Sequence, residues 1–196
     1  MLPVSVPLVC VTGFGPFEEV GSNPSSEVAR RLAAQPPSGL WVVSGVLPVS
    51  FARAPGELDR LLDEQGEKPA LLLALGVHCD PGFRLERRAR ARLTTADRPD
   101  VDGVSAVDAA PPAAPDLATS LDLDRVLAGL VARGVEDAFL SEEAGGYVCE
   151  RTYHRALEHG GALSVPALFV HTPKAEFASL ERQVEVCRWI IELSLG

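Results

Sequence analysis

The chain has 196 residues, 46% hydrophobic and 23% charged, the size and balance of one globular domain with a core of its own. Eighteen basic against 27 acidic side chains leave a formal charge of −9, whose field repels phosphate backbones and anionic lipid and counts against general nucleic-acid or membrane-surface binding. The longest strongly apolar runs, Ala70 to Val77 and Pro166 to Val170, fall far short of the about 20 residues of a membrane span.

The start, MLPVSVPLVCVTGF, has no charged n-region and no small-residue cleavage site, which predicts no signal peptide and a cytoplasmic protein. Cys10, Cys79, Cys149 and Cys187 lie far apart in a domain too large to need disulfide staples, so at least one thiol is free for chemistry. Hydrophobic runs alternate with helix-period stretches from end to end, the pattern of a single α/β domain with a largely parallel sheet. In chain order, strands are predicted from Leu8 to Thr12, Trp41 to Pro48, Ala70 to Gly76, Val135 to Leu140 and Ala167 to His171. Helices are predicted from Ser25 to Ala34 and from Pro55 to Glu64. A third runs from Leu121 to Arg133, with Ser120 as N-cap and Gly134 as stop, and a fourth from Tyr147 to about Glu158. The last, Glu176 to Leu195, carries a stripe of Phe177, Leu180, Val184, Cys187 and Ile191, which makes Cys187 a small buried hydrophobe.

Two stretches fit neither pattern. Residues 96–119, rich in Ala, Pro and Asp, read either as a solvated connection or as a mobile lid or binding loop. Before them, Arg84, Arg87, Arg88, Arg90 and Arg92 crowd together, and the alternation with Ala89, Ala91 and Leu93 suits an edge strand with a solvated face or an anion site.

In an open α/β sheet, ligands bind beyond the carboxyl ends of the strands. The loop Gly13-Phe14-Gly15-Pro16-Phe17 lacks the third glycine of a dinucleotide fingerprint, since Glu18 stands there, and has no Walker lysine. Its two phenylalanines read as an aromatic wall or as core. After the fourth predicted strand, Gly145-Gly146 permits a tight turn that places Cys149 in the first turn of a helix, where the helix end favours a thiolate. Cys149 is therefore either a nucleophile or a small residue chosen for close packing. His171, ending a neighbouring strand, is placed to take the thiol proton, or else is hydrogen-bonded filler. His78, Cys79 and Asp80 are consecutive, and Cys149, His154 and His159 share no helical face, so neither set makes a metal site.

Val11-Thr12-Gly13-Phe14-Gly15-Pro16-Phe17, Asn23-Pro24-Ser25, Leu85-Glu86-Arg87, Ala144-Gly145-Gly146-Tyr147-Val148-Cys149 and Phe169-Val170-His171-Thr172-Pro173, in this order, resemble the pyrrolidone carboxyl peptidases (pyroglutamyl peptidase I). The resemblance spans nearly the whole chain. It implies an α/β/α sandwich with a mostly parallel twisted sheet and a cytosolic cysteine peptidase, without cofactor or metal, that removes N-terminal pyroglutamate from peptides. Carried over, Cys149 is the nucleophile, His171 the general base and Glu86 the group orienting the imidazole. Phe14, Phe17 and Tyr147 take the places of ring-binding aromatics, and Asn23 that of the asparagine tying down the first loop. Assembly into a homo-oligomer occurs among relatives, although no pattern here marks an interface.

The sequence also departs from that pattern. Gly76-Val77 stands where Gly-Gln is usual, Ala91 where an asparagine is usual, and Gly146 where a larger residue is common. The stretch from Gly76 to Glu86 is about one residue short, which keeps Asp80 as a rival to Glu86. Two other readings remain at this stage: a catalytically silent relative that binds lactam ends, if that stretch misplaces Glu86, and a nucleoside-phosphorylase-like enzyme using the arginines for phosphate.

Overall fold

Runs such as Leu8 to Val11 and Leu71 to Leu75 bury every residue, so successive side chains feed two cores, one on each face of the sheet. The computed structural model describes residues 6–17, 23–95, 98–106 and 114–196. The strands are β1 (Leu8–Phe14), β2 (Trp41–Leu47), β3 (Leu71–His78), β4 (Phe83–Glu86), β5 (Arg88–Ala89), β6 (Leu117–Ala118), β7 (Ala138–Ser141) and β8 (Ala167–Pro173). The helices are α1 (Pro24–Ala34), α2 (Arg53–Gln65), α3 (Leu123–Val131), α4 (Val148–Leu163) and α5 (Leu180–Leu195).

The main sheet has the order β2-β1-β3-β8-β4-β7, and every neighbour is parallel except β4 against β8. Leu8, Cys10, Leu72 and Ala74 join Leu58 of α2 and Tyr153, Ala156 and Leu157 of α4 in one core. Val9, Val11, Leu71, Leu73 and Leu75 join Val28 and Leu32 of α1, Val126 and Leu130 of α3 and Val186, Cys187, Ile190 and Ile191 of α5 in the other. The result is the α/β/α sandwich with a mostly parallel sheet, with Cys187 buried as a hydrophobe.

The differences from expectation are local. The predicted strands gave no place to β4, four residues long, because a Pro81-Gly82 turn and the charged Arg84 and Glu86 interrupt its apolar pattern. Gly82 makes that turn at φ 89°, and a Cβ there would lie 2.3 Å from the Asp137 carbonyl oxygen. Helix α3 is capped by Asp122, whose carboxylate accepts from Arg125 N at 3.0 Å, rather than by Ser120. Helix α5 starts after Ser179, which caps Arg182 N, so Phe177 falls outside the stripe and is 49% exposed.

The arginine-rich stretch is an edge strand only at Arg88–Ala89, paired with β6. Four of its five arginines meet carboxylates: Arg84 meets Asp80, Arg87 meets Asp124 and Glu142, Arg88 meets Glu142, and Arg90 meets Glu143 and Glu150. That pairing uses the charge of four of the arginines that the phosphorylase-like reading assigned to phosphate. Residues 96–97 and 107–113 of the stretch read as connection or lid lie outside the described residues. The part between them is pinned: buried Asp100 accepts from Phe51 N at 2.8 Å and from Val104 N at 3.0 Å, and Ala106 sits in the core. Among the described residues, no helix is long and apolar enough to cross a membrane.

Candidate active site

The carboxyl ends of β1, β3 and β8, the end of β4 and the start of α4 converge on one place. Gly145 and Gly146 both hold positive φ, 89° and 66°, in a turn that glycine alone makes without strain, and Tyr147 then begins α4 in extended geometry. This sets Cys149 at the second position of the helix, half-buried.

His171 is buried on β8, and Glu86, fully buried, ends β4. Antiparallel pairing sets Arg84 opposite His171 and Glu86 opposite Phe169, which lets the Glu86 side chain reach the imidazole. His171 Nδ1 lies 2.7 Å from Glu86 Oε1, so the ring donates to the carboxylate there and leaves Nε2 as the nitrogen that does not face Glu86. Burial disfavours a charged imidazole, but the hydrogen bonds to Cys149 and Glu86, with their charges, outweigh it and raise His171 to about 9. Glu86 is thus bonded to His171, and Cys149, on a third element, acts on the charge of the same imidazole. Asp80 does not join it: it is exposed and takes the Arg84 guanidinium at 2.5 Å.

The imidazole is packed as well as bonded. The Phe169 ring lies 4.8 Å and the His78 ring 6.0 Å from it, centroid to centroid. His78 Nε2 donates to the Gly82 carbonyl at 2.9 Å, and burial holds His78 below the ordinary histidine value. Gly76 leaves room beneath: a Cβ there would come within 2.9 Å of the Phe169 ring and 3.0 Å of His171 Cδ2.

Beside Cys149 is a cavity of about 60 Å³. Phe14, Phe17, Val49, Val77, Tyr147 and Val148 give it apolar walls, and Asn23 and Arg98 complete it. Asn23 is not a free amide: its Nδ2 donates to the Gly15 carbonyl at 3.2 Å and its Oδ1 accepts from Ser25 N at 3.1 Å, so it fastens the Phe14–Phe17 loop to the start of α1. Gly13 permits that closeness, since a Cβ there would lie 2.2 Å from the Ser25 carbonyl oxygen. Tyr147 meets Phe51 edge-on at 5.3 Å and donates its hydroxyl to the Pro99 carbonyl at 2.9 Å. The Arg98 guanidinium stands 5.0 Å from the Phe17 centroid and 5.2 Å from that of Tyr147. No carboxylate lines this cavity among the described residues. A larger groove of about 520 Å³ lies between α1 and α5 and has none of these groups.

A pyroglutamyl peptidase family model matches residues 8–182. The chain belongs to the pyroglutamyl peptidase family. The pyrrolidone-carboxylate peptidase of Chromobacterium violaceum is 33% identical over 199 residues, covering 95% of this chain and 92% of the relative. Among solved structures, the pyrrolidone carboxyl peptidase of Fervidobacterium islandicum aligns at a TM-score of 0.81 and 28% identity, covering 95% of this chain and 97% of that one. A variant of the Pyrococcus furiosus enzyme aligns at 0.85 and 26%, covering 96% and 98%.

Within that family, this chain's departures have local accommodations. Gly146 does not leave a hole: a Cβ there would fall 2.0 Å from Thr94 Oγ1, so Thr94 fills the space. Val77 presents an apolar wall to the cavity. All seven residues singled out from the sequence, Glu86, Cys149, His171, Phe14, Phe17, Asn23 and Tyr147, gather here. Sequence reasoning missed two others. Arg98, the cation over the aromatic wall, was hidden in a stretch read as connection or lid. Glu150 was legible as an acidic residue at the third helical position, a capping signal.

His154 and His159 serve elsewhere, His154 Nε2 on the Pro115 carbonyl at 3.0 Å and His159 Nε2 on Asp59 at 2.6 Å. Among the described residues, no three His, Cys, Asp or Glu side chains converge as metal ligands would.

Proposed function

We propose that this chain is a cysteine exopeptidase that removes N-terminal pyroglutamate from peptides through a thioester intermediate. The observation that carries this reading is the buried Glu86–His171 hydrogen bond, with Cys149 close enough to raise the imidazole and lining a small aromatic cavity without a carboxylate. In this reading Cys149 gives its proton to His171 Nε2, and the imidazolium so formed is held by Glu86.

The substrate's first ring is a flat, neutral lactam with no ammonium, which suits apolar walls and has no use for an acid to pair with an amine. Cys149 Sγ attacks the pyroglutamyl carbonyl carbon, and its oxygen becomes an oxyanion. Backbone N–H groups at the start of α4 and the positive helix end stabilise that charge. The intermediate collapses as the C–N bond breaks and His171 Nε2 passes its proton to the leaving amine. His171, now neutral, takes a proton from water, whose oxygen attacks the thioester. Collapse releases pyroglutamate and restores the thiolate and imidazolium. Glu86 stays ionised throughout and holds the ring's tautomer and orientation. A silent lactam binder is favoured if Glu86 is misplaced; the 2.7 Å from Glu86 to the imidazole supports the catalytic reading instead.

Release of a fluorophore from pyroglutamyl, prolyl and glutamyl amides, with and without a reductant, tests the proposal. Turnover of the pyroglutamyl amide alone, dependent on a reduced thiol, is expected. Equal turnover of the three amides, or turnover indifferent to thiol oxidation, contradicts it.

A further inference from the structure

One buried charge has no part in the reaction as derived. Glu150, directly after Cys149, is 0% exposed. Its Oε1 accepts from Arg90 N at 2.6 Å and its Oε2 from Gly146 N at 2.9 Å. The Arg90 guanidinium, itself tied to Glu143, stands 3.6 Å from Oε2 and offsets the buried charge. The other side of the same turn is held too, because the Gly146 carbonyl accepts from Thr94 N at 3.0 Å and Thr95 N at 3.3 Å. Gly146 is therefore gripped on both sides, by Glu150 from α4 and by the backbone that follows Glu86.

We propose that Glu150 is a positioning residue for the reaction: its two carboxylate oxygens tie the turn that precedes Cys149 to the segment that follows Glu86, and so fix the helix start at which the oxyanion forms. The proposal rests on the reading of Cys149 as nucleophile. A carboxylate is needed because two N–H donors must be met by acceptors at once. The amide of Gln has one acceptor oxygen, so its NH2 would face one of those donors and leave a buried N–H unsatisfied. The turn and the first N–H groups of α4 would then shift, while the imidazole, Phe14 and Phe17 keep their own supports.

The test compares full-length wild type, Glu150→Gln and Cys149→Ala on a pyroglutamyl fluorogenic amide. Turnover is normalised to the Cys149 thiol counted by iodoacetamide labelling and mass spectrometry. In Glu150→Gln, kcat per labelled thiol should fall about 10- to 100-fold, the scale set by misplacing a reacting group by about 1 Å. Inhibition by pyroglutamyl aldehyde, which forms a tetrahedral adduct, should weaken in the same proportion. Inhibition by 2-pyrrolidone, the bare ring, should stay within about twofold, since the Phe14 and Phe17 walls are untouched. A lower melting temperature with wild-type kcat per thiol and wild-type aldehyde affinity would mean that Glu150 is structural only, and overturns the proposal. If Glu150→Gln does not fold, Glu150→Asp, which keeps the charge but is too short to reach both donors, is read by the same split. Turnover that survives in Cys149→Ala would instead defeat the underlying mechanism, whatever Glu150 does.

Discussion

His171 Nδ1 sits 2.7 Å from Glu86 Oε1 across antiparallel strands, a pairing that exists because β4, together with β7, runs against β2, β1, β3 and β8. Replacing the carboxylate by an amide keeps the shape and loses the charge that holds the ring. Glu86→Gln should lower kcat about 10²- to 10⁴-fold, and His171→Ala at least as much. Asp80→Asn should leave kcat within about threefold, because Asp80 faces Arg84 at the surface. Steady-state kinetics of the three variants checks the assignment.

The same contact makes stability depend on pH with a definite sign. The folded His171 value of about 9 lies above the ordinary 6.5, so the charged imidazole contributes stability that is complete below about pH 6.5 and is lost as pH rises through about 9. Urea midpoints of wild type should therefore fall across that window, and Glu86→Gln should fall less. Activity should decline over the same alkaline limb as the imidazolium loses its proton. A wild-type midpoint that does not change between pH 6.5 and 9 would contradict the coupling.

Thiol chemistry should be confined by burial. Cys10 and Cys187 are buried in the two cores, and burial pushes each up to about 12. Iodoacetamide on the folded protein should label Cys149 and the exposed Cys79 and spare Cys10 and Cys187. Only the Cys149 adduct should track loss of activity, so Cys79→Ser should inactivate at the wild-type rate. Peptide mapping against residual turnover resolves this.

The aromatic walls separate into two kinds. Phe17 is half-buried at the cavity, so Phe17→Ala should cost about 1–3 kcal/mol in kcat/KM and little in melting temperature. Phe14 is fully buried in the core, so Phe14→Ala should cost a similar amount of activity and about 3–5 kcal/mol of stability besides. Prolyl amides, which lack the lactam carbonyl, should be poor substrates for the wild type. Unchanged kcat/KM in Phe17→Ala and Tyr147→Ala would move the ring site elsewhere.

Gly76 offers a test from a residue that touches no substrate. Its partner in register is His171, and an added methyl would collide with Phe169 and with the imidazole. Gly76→Ala should therefore tilt His171 away from Cys149 and lower kcat about 10-fold or more. Chemical shifts of the imidazole, read beside the kinetics, would show whether the ring has moved.

The parallel strands were legible because both of their faces are buried, which writes continuous apolar runs such as Leu71 to Leu75 into the sequence. Cys149 was legible through its glycine turn and helix start, and Phe14 and Phe17 through their place at and just after the end of β1. β4 was not, because Arg84 and Glu86 interrupt an element of four residues, so Glu86 entered only through resemblance. Arg90 looked like part of a solvated face, yet its side chain is 26% exposed and tied to Glu143 and Glu150, a long-range pairing that local pattern does not record. Arg98 was missed for the same reason, since its partners Phe17 and Tyr147 are distant in sequence.

The central claim is that the pyroglutamyl group is carried on Cys149. Mixing enzyme with a pyroglutamyl ester, quenching in acid within the first turnover and mapping the adduct by mass spectrometry tests it most directly. One pyroglutamyl group as a thioester on the peptide that contains Cys149, absent from Cys149→Ala, is the predicted result. Full turnover with no adduct on Cys149, sustained in Cys149→Ala, would contradict the account.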